Sequence, residues 1–204
     1  MQVFGPGTAL ILVDLQNDFA DPGGSLSVRG AEEVVAAANR EIAAALGQDA
    51  LVVATQDWHP PQTPHFVTDG GPWPVHCVAG TWGAAFHPAL ELPLNSPHVR
   101  KGANGEDGYS GFTMRDPVTG ESQPTELESI LRAANVDTVV VVGLATDHCV
   151  KATALDAVRL GFRTVVPRSV IAAVDLQPGD GERALQELRD AGIDVVESLE
   201  SISQ

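Results

Sequence analysis

The run T-V-V-V-V-G-L, Thr138 to Leu144, constrains this chain more than any other stretch. Four consecutive β-branched valines suit a pleated strand better than a helix. No charge follows Asp137 in the run, and no polar residue alternates with the valines. A strand that is apolar on both faces must be covered on both faces, which is the position of a central strand in a parallel sheet. The flanking segments supply the cover. Thr8 to Val13 reads as another continuous apolar strand, Ala50 to Thr55 as a short buried one, and further strands follow at Arg163 to Val166 and Asp194 to Val196. Between Ala31 and Leu46, Val34, Val35, Ala38, Ile42, Ala45 and Leu46 recur at helical spacing, and Gly47 can close that helix. Further helices are expected from about Asp147 to Leu160, ended by Gly161, and over roughly Gly181 to Ala191. Thr125 and Glu128 have the spacing of a capping box before the apolar face of Leu127, Ile130 and Leu131. Alternating strands and helices predict an α/β protein: a three-layer α/β/α sandwich around a mostly parallel sheet.

The length of 204 residues fits one domain, 1–204, with one core. The formal charge of −15 would repel nucleic-acid phosphates and an anionic membrane surface alike, and no basic cluster offsets it. Nucleic acid and membrane are therefore not expected partners. Two cysteines are too few for a disulfide framework, and the N-terminus lacks a basic segment before its apolar run, so a cytoplasmic setting is expected. A homo-oligomer is a possible assembly.

In such folds ligands collect beyond the carboxyl ends of the strands. Cys149 stands there, five residues past Leu144, where the next helix should begin. A helix start favours an anion and can lower a thiol pKa, which suits covalent catalysis. The bland alternative is a small buried core residue. His148 is a poor base for Cys149, because successive helix residues point apart; it reads as a packing or loop-ordering residue. A base must come from another strand end. Asp14 ends the first strand, and a partly desolvated carboxylate there has a raised pKa suited to proton transfer. Lys101 follows the apolar stretch near Val99. Each has an ordinary reading alone, as strand-end cap or solvated charge. Together they place an acid, a cation and a thiol at three strand ends.

From Trp58 to Pro97 the chain is rich in proline and glycine and lacks periodicity, and so long a loop is usually functional. It opens on D-W-H-P-P-Q-T-P-H-F, where Asp57 and His59 project to one side of an extended backbone. His65 and His76 follow in the same loop. One carboxylate and three imidazoles make a plausible shell for zinc, iron(II) or manganese; a polar loop that merely contains histidine is the alternative. Cys77 could supply sulfur instead. His87 and His98 read as surface or core residues without partners.

The segments V-D-L-Q-N-D-F, D-W-H-P-P-Q-T-P-H-F, W-P-V-H-C-V-A-G-T, K-G-A-N-G-E-D-G-Y-S-G-F and G-L-A-T-D-H-C-V span nearly the whole chain. In them the sequence resembles the nicotinamidases of the isochorismatase-like cysteine hydrolases. The resemblance implies that fold, with Asp14, Lys101 and Cys149 as catalytic triad. It implies Asp57, His59, His65 and His76 as the shell of one divalent metal ion, zinc, iron or manganese. It also implies Phe19 and Trp73 flanking an aromatic ring with Tyr109 nearby, and a cis Leu144–Ala145 peptide. The amides of Ala145 and Cys149 would then form an oxyanion hole. The expected activity is hydrolysis of nicotinamide to nicotinate and ammonia in NAD salvage. A carbamoyl compound or isochorismate is the alternative substrate, and a non-catalytic metal- or ligand-binding module the alternative class.

Overall fold

A computed structural model describes residues 3–203. Its elements, in chain order, are β1 (Thr8–Val13), α1 (Asn17–Ala20), α2 (Ala31–Leu46), β2 (Leu51–Asp57), β3 (His98–Lys101), β4 (Thr113–Arg115), β5 (Ser122–Pro124), α3 (Leu127–Ala133), β6 (Thr138–Leu144), α4 (Lys151–Arg159), β7 (Arg163–Pro167), β8 (Ile171–Ala172), α5 (Asp180–Asp190) and β9 (Asp194–Val196). The main sheet is parallel in the order β3-β2-β1-β6-β7-β9, with β8 paired to the end of β6. Strand and helix alternation thus yields the expected α/β sandwich, and its two faces divide by residue parity. Leu10, Leu12, Val140 and Val142 pack toward α1 and α2. Ala9, Ile11, Val139 and Val141 pack toward α3, α4 and α5. Each such Val, Leu or Ile contributes about 1.5–3 kcal/mol by leaving water.

The chain runs from β1 outward to β2 and β3, then returns across the sheet to β6 on the other side of β1. That reversal makes the carboxyl ends of β1 and β6 the topological switch, where a crevice forms. Gly143, opposite Val13 in the β1–β6 register, has φ of +113°. A Cβ there would overlap the Val13 carbonyl oxygen, so the glycine lets the two central strands close at this end.

Some local expectations do not hold. Thr125 and Glu128 form no capping box: the Thr125 hydroxyl accepts from the Leu127 amide at 3.1 Å and donates to the Gly111 carbonyl at 2.6 Å. Gly47 does close α2 as expected, though in right-handed conformation, with Asp49 taking the positive φ of 55°. The helix expected from Asp147 opens as a π-type turn, Thr146–Val150, before α4 begins. The antiparallel pair β4–β5 gives no sequence signal, because its strands are three residues long and mostly exposed. Among the described residues, no helix is long and apolar enough to cross a membrane.

Candidate active site

Four parallel strands each deliver a functional group to the same end of the sheet. Asp14 follows β1, Asp57 closes β2, Lys101 closes β3, and Cys149 lies in the π-type turn after β6. In that turn the Val150 amide reaches back to the Ala145 carbonyl at 3.1 Å, a five-residue span that is uncommon in helices and frequent at functional sites. The Leu144–Ala145 peptide preceding it is cis, as the resemblance implies. Asp14 sits at φ of 50°, a left-handed backbone costing about 1–2 kcal/mol for a residue with a Cβ.

Lys101 is fully buried and gives its ammonium hydrogens to three oxygens: Asp14 Oδ2 at 2.7 Å, Asp57 Oδ1 at 2.5 Å and the Gly108 carbonyl. Its Nζ also stands 3.7 Å from Cys149 Sγ. The other Asp14 oxygen accepts from the Thr55 hydroxyl at 2.6 Å. Asp14, Asp57 and Cys149 each offer an atom within 4.8 Å of the other two. Burial raises the Asp14 carboxyl above its ordinary value despite Lys101, and the ammonium itself is held well above its own by the two carboxylates, against burial. Asp57 goes the other way: burial would raise it, but Lys101, His59 and His76 hold it well below the usual carboxylate range. The sequence suggested a depressed thiol at Cys149. Burial instead pushes that thiol well above its ordinary value, and Lys101 offsets only part of the loss of water. The resting sulfur therefore keeps its proton, with the elevated Asp14 carboxylate close by to receive it.

Beside this cluster stand His59, His65 and His76, all buried, each with a ring nitrogen within 4.8 Å of the others. Asp57 Oδ2 borders them, 3.8 Å from His59 Nε2 and 3.9 Å from His76 Nε2. His76 Nδ1 donates to the Pro74 carbonyl at 2.7 Å, which leaves its Nε2 as a lone pair. Burial pushes His76 down to about 4, against the pull of Asp57, so the ring is neutral and able to ligate. Both nitrogens of His59 are buried without a hydrogen-bond partner. Such orphaned groups are rare in a finished interior. Three imidazoles and a carboxylate fit a divalent cation, which would satisfy the lone pairs the protein leaves unmet. Cys77 does not join them: its thiol faces the Gly83 carbonyl at 3.9 Å, and its amide donates to Asp18.

Both clusters open onto one pocket of about 430 Å³, including its mouth. Phe19, Trp73 and Tyr109 line it, with the Trp73 indole N–H donating to the Tyr109 hydroxyl at 2.7 Å. His148, read from sequence as packing, also lines the pocket, its ring centroid 4.9 Å from that of Trp73. Leu26 and Val174 complete the wall and carry no sequence signal. His87, expected to lack a partner, stands 3.9 Å from Asp21. His98 is exposed on β3, as read.

The family model described as the Isochorismatase domain matches residues 8–200. The nicotinamidase/pyrazinamidase of Mycobacterium tuberculosis is 42% identical, over 92% of this chain and 97% of its own. The pyrazinamidase of Pyrococcus horikoshii, solved in complex with zinc, superposes with a TM-score of 0.84 at 40% identity, covering 94% of this chain and 99% of that one. An L. infantum protein solved in complex with nicotinate superposes with a TM-score of 0.85 at 37% identity, covering 96% and 95%. With the switch-point crevice and the residues that meet in it, these matches assign the chain: it belongs to the isochorismatase family.

Proposed function

We propose that this protein hydrolyses nicotinamide to nicotinate and ammonia through a thioester on Cys149, in the salvage of NAD. One observation carries the reading: Cys149, Asp57, His65 and His76 line one pocket walled by flat rings, with the raised carboxyl of Asp14 buried beside the sulfur. The relatives support it, being nicotinamidases and pyrazinamidases by name. The reading treats 1–204 as one catalytic unit.

Asp14 takes the proton of the Cys149 thiol as sulfur attacks the carboxamide carbon. Lys101, 2.7 Å from Asp14 and 3.7 Å from the sulfur, compensates the negative charge wherever it resides along that path. The oxyanion develops toward the amides of Ala145 and Cys149, two residues of the pocket wall. One such donor is worth about 3–4 kcal/mol of transition-state stabilisation. As the C–N bond breaks, Asp14 returns the proton to the departing nitrogen, which leaves as ammonia. Asp14 then removes a proton from water as it attacks the thioester; nicotinate leaves and the thiol is restored. Phe19, Trp73 and Tyr109 hold the ring flat and exclude water. Asp57, His59, His65 and His76 would hold a divalent ion, with zinc the first choice and iron(II) or manganese also suited to the donors. When bound, that ion supplies a coordination position for the pyridine nitrogen and so orients the ring.

The test is ammonia release from nicotinamide by purified protein, with and without a chelator, with mass spectrometry of the quenched reaction. A nicotinoyl adduct on Cys149 is expected. Preferential turnover of a carbamoyl compound or of isochorismate would replace the substrate and keep the triad.

A further inference from the structure

The three histidines are not held alike. The Nδ1 of His76 is tied to a carbonyl two residues away, within its own loop. His65 Nδ1 is instead 2.8 Å from Asp107 Oδ1, on a segment 42 residues distant. A carboxylate can only accept, so the shared hydrogen belongs to Nδ1 and the Nε2 lone pair is left for the cluster. Asp107 is itself fixed. Its amide donates to the Arg115 carbonyl at 2.7 Å, and the Arg115 amide donates back at 3.0 Å, so the β4 strand clamps this one residue. The rest of the 102–108 strap is tied to the same place. The Thr63 hydroxyl donates to the Gly105 carbonyl at 3.2 Å, and Lys101 donates to that of Gly108. At Gly102, a Cβ would come within 2.6 Å of the His59 ring. The strap thus lies directly against the histidine loop, and Asp107 is the carboxylate it extends to it.

We infer that Asp107 is a positioning residue for the histidine cluster, locking His65 as the Nδ1–H tautomer and thereby setting the affinity of the site for a divalent cation. The inference rests on the metal reading given above. A carboxylate behind a ligating imidazole fixes ring orientation and raises ligand basicity, and its loss typically weakens metal binding about 10–100-fold.

The experiment is a zinc titration of the metal-stripped protein in competition with a chromophoric chelator, a readout independent of turnover. Asp107→Ala should weaken zinc about 10–100-fold. Asp107→Asn, whose amide oxygen still accepts from Nδ1–H, should lose less. Glu106→Gln should bind as wild type, because Glu106 bonds to Asn104 and to no histidine. Long-range proton–nitrogen NMR of the metal-free wild type should find the His65 hydrogen on Nδ1, a measurement that needs no variant to fold. An Asp107→Ala protein that binds zinc as tightly as wild type would overturn the role of Asp107 alone, as would a hydrogen on Nε2. A wild-type protein that binds no zinc would overturn the metal reading and this inference together.

Discussion

Two clusters share the pocket, and they balance their charges differently. Around Lys101 the protein is self-sufficient: one ammonium, two carboxylates, a carbonyl and a hydroxyl satisfy one another. Around His59 it is not, since a fully buried ring has no partner at either nitrogen. The first arrangement is preassembled, held together by attraction between buried ions. The second, on the proposed function, is completed by a divalent cation. Asp57 belongs to both, one oxygen on Lys101 and the other facing His59 and His76. On the proposed function, chemistry and ring placement are therefore adjoining but separable tasks.

That separation can be broken at its strongest point first. Cys149→Ala should lower kcat by at least about 10⁴-fold while nicotinate still binds; kinetics with product-binding calorimetry checks both halves, and near-normal kcat would end covalent catalysis. Lys101→Met leaves Asp14 and Asp57 buried without their counter-ion, and should cost about 3–5 kcal/mol of stability. An unchanged urea midpoint would mean that the two carboxylates do not share that charge. Acid should find the other cluster. In the metal-free protein His76 is held at about 4 against an ordinary 6.5. Between those values the unfolded chain binds the extra proton, so stability falls as pH drops through the window, by about 3 kcal/mol in all. Urea titrations at several pH values check this, and His76→Asn should flatten the slope. The smallest effect sharpens the contrast: zinc at about 100 times its Kd should stabilise the wild type by about 2.7 kcal/mol and His59→Ala far less. Elemental analysis of His59→Ala should find less metal and kinetics a raised KM; full metal content would remove His59 from the shell.

The frame was legible wherever burial is continuous. Thr138 to Leu144 and Ala31 to Leu46 occupy the expected spans, because an unbroken valine run and a long amphipathic repeat each admit one environment. The strand-end residues were legible for the same reason, since a charge at the edge of an apolar run is conspicuous. What escaped depends on neighbours remote in sequence. β4 and β5 are short and polar, and only their pairing makes them strands. Thr125 had two possible amides to cap, and the Gly111 carbonyl that receives its hydroxyl hydrogen belongs to another segment. The thiol of Cys149 sits at a helix start, yet its depth in the protein reverses the expected shift. His148 was read as a packing or loop-ordering residue, and the indole it meets comes from the long loop.

Lys101 has a pharmacological corollary. Its three hydrogens are already given to protein oxygens, and its charge is held in place by Asp14 and Asp57. It offers no free amine lone pair. An electrophilic inhibitor such as a ring-bearing aldehyde would therefore be captured by sulfur as a thiohemiacetal, and borohydride would trap no secondary amine on this lysine.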